Sequence, residues 1–312
     1  MHIHVRRVFN TMPPLWKVFP IVFTLLLFSI TGYTNVRFNE YAQKNTLLIF
    51  YLLSLYLYMK VIYPGYGTPK SEAPVLLNGT LHTKVETYIE EVSKYKLSKY
   101  KLSNFKFCEV CDFMKPERTH HCKTCKTCVL KMDHHCPWFG VCIGIKNHKR
   151  FILFLVASLC FTAVIWIDTF KHVYFGIKSM NEGDERTVQF KLCYLLLIAT
   201  VFSLTLVVFT GYSIYLVFKN TTTIESMNIQ DKKDKRDLLM EEGHENIDEG
   251  HIYDLGYYQN WKQVMGQKWY QWFMFSDHDN EKLLSSTHRG FLFPVNDDIL
   301  HRQQDLLNRG LI

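Results

Sequence analysis

Apolar residues are gathered into four blocks along the chain, and polar residues fill the segments between them. Residues 18–36 carry no charged side chain, 47–63 only Lys60, and 151–167 and 192–218 none. Each block is about long enough to cross a hydrocarbon core of ~30 Å, for which a helix needs roughly 17–25 apolar residues. The pattern predicts an all-α polytopic membrane protein with four transmembrane helices. For the two shorter blocks, 47–63 and 151–167, a buried helix of a soluble domain is the alternative. The mean hydropathy of −0.06 would suit a soluble chain of 312 residues, but it averages over this segregation.

The polar segments differ in charge, and the difference sets an orientation. Residues 64–150 hold fifteen Lys or Arg, whereas the segment between the first two blocks offers only Arg37 and Lys44. The third connection balances Lys171, Lys178, Arg186 and Lys191 against Glu182, Asp184 and Glu185. Basic loops stay in the cytosol. Arg6, Arg7 and Lys17 before the first block agree, so both termini and the long second loop are expected on the cytosolic side. The net charge of +7 is then a topology signal and an attraction to an anionic leaflet. The first block is read as a retained anchor, because no small-residue cleavage site follows a short apolar run.

Seven of the nine cysteines fall in that loop, and the other two, Cys160 and Cys193, lie inside predicted spans. This is no secreted disulfide framework. The loop writes one ligand spacing twice, offset by fourteen residues: Cys108, Cys111, His121 and Cys128, then Cys122, Cys125, His135 and Cys142. Each copy supplies the four soft ligands of a closed tetrahedral zinc site. The segment has little apolar periodicity, so small β-hairpins stitched by two structural Zn2+ ions are expected. His120 and His134 repeat at the same offset, and spacing alone does not say which histidine of each pair binds metal.

Cys136, in Asp133-His134-His135-Cys136, is left outside the pattern. A purely structural zinc module needs no ninth ligand. A thiol near pKa ~8.5 becomes a nucleophile when an imidazole accepts its proton and a carboxylate fixes that imidazole's tautomer. Cys136, His134 and Asp133 offer those three groups.

Cys108 to Phe151, with Pro116-x-Arg118-x-x-His121-Cys122, Asp133-His134-His135-Cys136-Pro137-Trp138, Cys142-x-Gly144 and Asn147-x-x-x-Phe151, resembles the cysteine-rich domain of the DHHC family of protein S-acyltransferases. The resemblance implies that His121 and His135 bind zinc and that His134 is the base beside nucleophilic Cys136. It implies palmitoyl-CoA or another long-chain acyl-CoA as donor. The acyl group would pass to Cys136, then to cysteines of cytosolic or peripheral membrane proteins. Gly140 and Val141 replace a usual Asn pair, and Tyr63 a usual Asp before Pro64-Gly65; neither change touches a ligand. Thr222-Thr223-Ile224-Glu225 matches the family's Thr-Thr-x-Glu motif and also has capping-box spacing. The motif would pack on the zinc module, with Thr223 a partner for Asp133. Asp254-x-Gly256 through Asn260-Trp261-x-x-Val264-x-Gly266 is similar to a C-terminal family motif and looks closest to fungal vacuolar members, so a vacuolar membrane is expected, with Golgi or endosomal membranes as alternatives.

An acyl tail held in water would cost on the order of 10 kcal/mol at ~0.8 kcal/mol per CH₂. An apolar cavity in the helical bundle would remove that cost, and Trp138, Phe151, Phe154 and Phe161 are candidates to line it. Phe161 lies ten residues beyond Phe151 on the third helix, about 15 Å deeper. Lys and Arg of the loop would meet the CoA phosphates. Residues 231–250, charge-rich and aperiodic, suggest a mobile linker. After it, Trp261, Val264, Met265, Trp269, Trp272 and Phe273 recur at helical spacing, a face suited to the bilayer interface. Asn78-Gly79-Thr80 and Asn220-Thr221-Thr222 match glycosylation acceptors that a cytosolic placement would leave unused. The expected divisions are residues 1–63 (tail and helices 1–2), 64–150 with the cysteine-rich domain at 108–151, 151–218 (helices 3–4), and 219–312. Three rival readings are weighed. A RING-type ubiquitin ligase needs longer ligand spacings and no spare cysteine. A nucleic-acid binder lacks a groove-reading helix, and an inactive scaffold has no use for the intact Asp133, His134 and Cys136.

Overall fold

The computed structural model describes residues 15–39, 42–63, 65–69, 106–181, 190–241, 250–274 and 293–308. Four long apolar helices appear: α1 (Leu15–Phe38), α2 (Lys44–Ile62), α3 (His148–Asn181) and α4 (Phe190–Phe218). Between α2 and α3 lie six short strands, β1 (Phe107–Cys108), β2 (Phe113–Met114), β3 (His120–Cys122), β4 (Thr127–Val129), β5 (His134–Cys136) and β6 (Val141–Ile143), paired as three two-stranded sheets. After α4 come α5 (Thr223–Glu241), α6 (Tyr257–Met265), a 3-10 turn at Trp269–Phe273 and α7 (Asp297–Asn308).

Among the described residues, α2, α3 and α4 are long and apolar enough to cross a membrane. Their outer faces carry exposed leucine, isoleucine and valine, such as Leu48 and Ile49 on α2 and Leu197, Leu204 and Val208 on α4. Helices apolar all round have no soluble surface to offer, which is the signature of a lipid environment.

The chain divides into two compact units. One comprises Met1–Tyr63, Cys136–Val141 and Arg150–Tyr212, and the other Pro64–His135, Cys142–Lys149 and Ser213–Ile312. The first unit has an aromatic interior. Phe161 stacks on Phe28 with ring centroids 5.0 Å apart, and Tyr58 stacks on Phe139 at 4.8 Å. Tyr58 also donates a 2.8 Å hydrogen bond to the Trp138 carbonyl.

The structure departs from the sequence pattern in three places. Helix α3 does not stop at residue 167 but runs on through Asp168, Lys171 and His172 to Asn181. Asp168 is fully buried, and its carboxyl group accepts from Asn35 Nδ2 at 3.1 Å, Gln43 N at 3.0 Å and Gln43 Nε2 at 3.3 Å. A satisfied polar group need not end a span. Residues 231–241, expected in a linker, continue α5, whose capped start and Lys, Arg, Leu, Met and Glu content favour helix; 242–249 lie outside the described residues. The aromatic segment is not one helix. Gly266, at φ 112°, ends α6 in a conformation that side-chain-bearing residues rarely adopt, and the 3-10 turn follows. The Asn78 acceptor lies outside the described residues.

Replacing Asp168 by Ala leaves the buried Asn35 amide without its acceptor and removes the tie to Gln43. We expect a loss of about 2–3 kcal/mol, with Asp168→Asn milder. Thermal unfolding of the detergent-solubilised variants checks it.

Candidate active site

A two-residue step between cysteines demands a tight turn, and the chain makes it the same way twice. The residue after each Cys-x-x-Cys pair takes positive φ: Asp112 at 56° and Lys126 at 54°. In the first cluster Cys108 lies on β1, Cys111 in the β1–β2 turn, and His121 opposite Cys128 in the β3–β4 pairing. In the second, Cys122 lies on β3, Cys125 in the β3–β4 turn, His135 on β5 and Cys142 on β6. Within each set the four ligand atoms lie within 4.8 Å of one another.

The distances match one shared ion. Ligands of a tetrahedral ion with metal–sulfur ~2.3 Å and metal–nitrogen ~2.0 Å stand about 3.5 Å apart. His121 Nδ1 lies 3.5, 3.3 and 3.8 Å from Cys108, Cys111 and Cys128 Sγ. His135 Nδ1 lies 3.7, 3.4 and 3.6 Å from Cys122, Cys125 and Cys142 Sγ. His120 and His134 belong to neither set. Val129, Met132, Tyr66 and Ile224 pack around the second cluster.

His134 Nδ1 donates to Asp133 Oδ2 at 2.7 Å. Asp133 is buried and also accepts from the Thr223 N–H at 2.7 Å and the Thr223 hydroxyl at 2.9 Å. Burial alone would raise this carboxyl, but the His134 hydrogen bond, the charges of His148 and His134, and the Thr223 N–H outweigh it and hold it at about 2. Asp133 is therefore a fixed anion, and with Nδ1 protonated the basic position of His134 is Nε2. His134 and Cys136 stand two residues apart on β5, a spacing that places both side chains on one face of a strand.

Thr223 is held by a box below it. Thr222 N donates to Glu225 Oε2 at 2.9 Å, and Glu225 N donates back to Thr222 Oγ1 at 3.2 Å. Glu225 is in turn gripped by Arg118, with Nε and Nη2 each 2.7 Å from a carboxylate oxygen. Arg118 also donates to Asn220 Oδ1 at 3.0 Å and the Asn220 carbonyl at 2.7 Å. Against the cost of burial, the Arg118 charge and its hydrogen bonds keep the Glu225 carboxyl at about 2. Asn220 is thus an internal connector, buried and donating to the Tyr253 carbonyl and to Gln263, rather than a free acceptor site.

In the helical unit a cavity of about 320 Å³ is lined almost wholly by apolar atoms. That size suits a small-molecule site. Cys136 lines it, as do Trp138, Phe151, Phe154 and Phe161, the four aromatic residues singled out from the sequence. Ile165, one turn beyond Phe161, lines it too. Of the small residues beside Phe161, Ser158 faces the cavity, whereas Ala157 is buried but not part of the lining.

Sequence reasoning passed over several residues. Arg118 was visible only as a motif letter, and Lys131 only as one of many lysines. Lys131 is fully enclosed; burial first, and then the Arg118 charge, bring its amine down to about 7. Phe28 and Tyr58 line the cavity from α1 and α2, which uniformly apolar helices do not advertise. An Arg at a fixed short distance before a ligand pair, in a loop that must fold around a Glu-capped helix, was the one signal available.

Residues 101–230 match the family described as DHHC palmitoyltransferase. Palmitoyltransferase PFA3 of Saccharomyces cerevisiae is 33% identical, over 83% of this chain and 79% of its own length. Palmitoyltransferase PFA3 of Debaryomyces hansenii is 30% identical, over 85% and 77%. Palmitoyltransferase ZDHHC15 of Homo sapiens is 36% identical over 52% of this chain and 44% of its own.

Glu117, next to Arg118, is buried, and burial raises its carboxyl from 4.5 to about 7 against the opposing Phe293 N–H and Arg118 charge. The folded state therefore holds this proton more tightly than the unfolded chain, and the group's contribution makes stability fall as pH rises from about 4.5 to 7. Glu117→Gln has no such charge to bury. Its gain over the parent is expected to be near zero at pH 4 and to grow to about 3 kcal/mol at pH 8. Thermal unfolding across that range measures it.

Proposed function

Because the chain belongs to the DHHC palmitoyltransferase family, we propose that Cys136 is the nucleophile that takes a long-chain acyl group from acyl-CoA and passes it to cysteine thiols of membrane-associated proteins. The observation that carries this reading is the position of Cys136. It is the one cysteine of the hairpin region in neither ligand cluster, and it lines an apolar cavity. A thiol that carries a hydrocarbon chain needs such a neighbour, since each buried CH₂ is worth ~0.8 kcal/mol.

The chemistry is thioester exchange. His134 Nε2 takes the Cys136 proton, and the thiolate attacks the acyl-CoA carbonyl. The carbonyl–sulfur bond to CoA breaks as the new one to Cys136 forms, and the departing sulfur receives the proton. In the second step His134 takes the proton of the incoming substrate thiol, and Cys136 leaves as the thiol. Asp133 keeps Nδ1 protonated throughout, and Thr223 keeps Asp133 in place.

The two Cys₃His clusters fit Zn2+, bound by Cys108, Cys111, His121 and Cys128 and by Cys122, Cys125, His135 and Cys142. All four positions of each ion would come from protein, so the metal supplies folding rather than chemistry. Palmitoyl-CoA is the donor we assign, with loop Lys and Arg for its phosphates. Helix α1 serves as the fourth span, which places the hairpin region and both termini in the cytosol by the basic-loop argument. The vacuolar membrane is the compartment favoured by the resemblance to fungal vacuolar members.

Cys136→Ser should abolish the hydroxylamine-sensitive acyl-enzyme while two zinc ions stay bound. In the same assay His134→Ala should slow acylation by roughly 10²–10⁴-fold with zinc retained, the range for loss of a general base, whereas His135→Ala should lower metal content and thermal stability. Metal analysis showing zinc lost from Cys136→Ser or His134→Ala would overturn the assignments, and unchanged acylation in Cys136→Ser would leave a non-catalytic scaffold. The ring stack of Phe161 on Phe28 lies in the path of a long chain. Phe161→Ala is therefore expected to shift preference towards longer acyl-CoA, and Ser158→Phe towards shorter, read from competition between acyl-CoAs of graded length.

A further inference from the structure

Phe293 lies beyond every motif recognised in the sequence, yet it is buried against the residues that brace Asp133. Its N–H donates to Glu117 Oε2 at 3.2 Å. Its ring centroid is 5.1 Å from Arg118 Cζ and 5.8 Å from Lys131 Nζ. Tyr253 presents a second ring to Arg118 at 4.4 Å, and the two rings meet edge to face with centroids 6.1 Å apart.

A guanidinium donates hydrogen bonds only in its plane. Arg118 directs four N–H bonds at Glu225 and Asn220, and a π-surface can lie against a guanidinium without competing for them. Tyr253, the nearer ring, and Phe293, set edge to face against it, stand on two adjoining sides of Arg118 and limit how the guanidinium plane can turn. That plane decides whether both carboxylate oxygens of Glu225 are reached, and Glu225 in turn holds Thr222 and the start of α5, where Thr223 meets Asp133. We propose that Phe293 is a positioning residue for acyl transfer, acting through Arg118 and Glu225 on the Thr223–Asp133–His134 hydrogen bonds. The inference rests on the roles given above to Asp133 and His134. It gives Phe293 a part in the reaction although no residue of 293–308 lines the apolar cavity.

The test compares Phe293→Leu, which keeps apolar bulk but no π-face, with Phe293→Tyr, which keeps the ring, in the full-length protein. Acyl-enzyme formation is followed in single turnovers with labelled palmitoyl-CoA, alongside zinc content. Phe293→Leu should lower the maximal acylation rate about tenfold, leave the palmitoyl-CoA concentration at half-maximal rate unchanged, and retain two zinc ions. Phe293→Tyr should stay within about threefold of the parent. A parent-like rate in Phe293→Leu, or equal losses in both variants in step with lost zinc, would overturn the proposal. Asp133→Asn, run beside them, separates the two levels. If Asp133→Asn is slow and Phe293→Leu is not, only the role of Phe293 fails; if Asp133→Asn acylates normally, the reading of the site fails and the role of Phe293 with it.

Discussion

A guanidinium taken out of water must find a counter-charge and hydrogen-bond partners, and Arg118 finds a counter-charge in Glu225 and four acceptors in Glu225 and Asn220. The pair is nearly solvent-free, with side-chain exposures of 1% and 14%. Attraction between buried charges does little more than offset their desolvation, so the pair's value is specificity rather than stability. Glu225 Oε2 accepts from Arg118 and also from Thr222 N, and Arg118 lies in the turn just before β3, which carries a ligand of each cluster. The ion pair thus ties the fold of a metal-dependent loop to the first turn of a helix about a hundred residues further along the chain.

That tie explains why the Asp133 carboxylate is so fully hydrogen-bonded. Asp133 receives three hydrogen bonds, two of them from Thr223, whose own position follows from the cap. A carboxylate anchored in this way stays ionised at every physiological pH. It can hold an imidazole in one tautomer without competing for the proton. The hydrogen bonds around Asp133 belong to one compact unit, and the cavity walled by Phe151, Phe154 and Phe161 to the other.

Local spacing was the legible part. Cys108 to Cys142 announced two ligand sets because coordination geometry imposes short, repeated intervals, and the spare Cys136 followed by subtraction. The apolar blocks announced helices because a bilayer imposes length. Properties set by distant partners were illegible. Asp168 looked like the end of a span until Asn35 and Gln43 were seen to satisfy it. Asn220 showed in the sequence only as an unused glycosylation acceptor, whereas its side chain spans Arg118, Tyr253 and Gln263. The inward face of α3 could not be chosen from a sequence apolar on all sides, and only the structure separates Ser158, which lines the cavity, from Ala157, which does not.

Strand β3 places His121 in one cluster and its immediate neighbour, Cys122, in the other. Successive residues of a strand point to opposite faces, so a single peptide unit forms the wall between the two ions. A turn of that peptide would displace a ligand of each set at once. The two sites thus share one piece of backbone, and damage there reaches both.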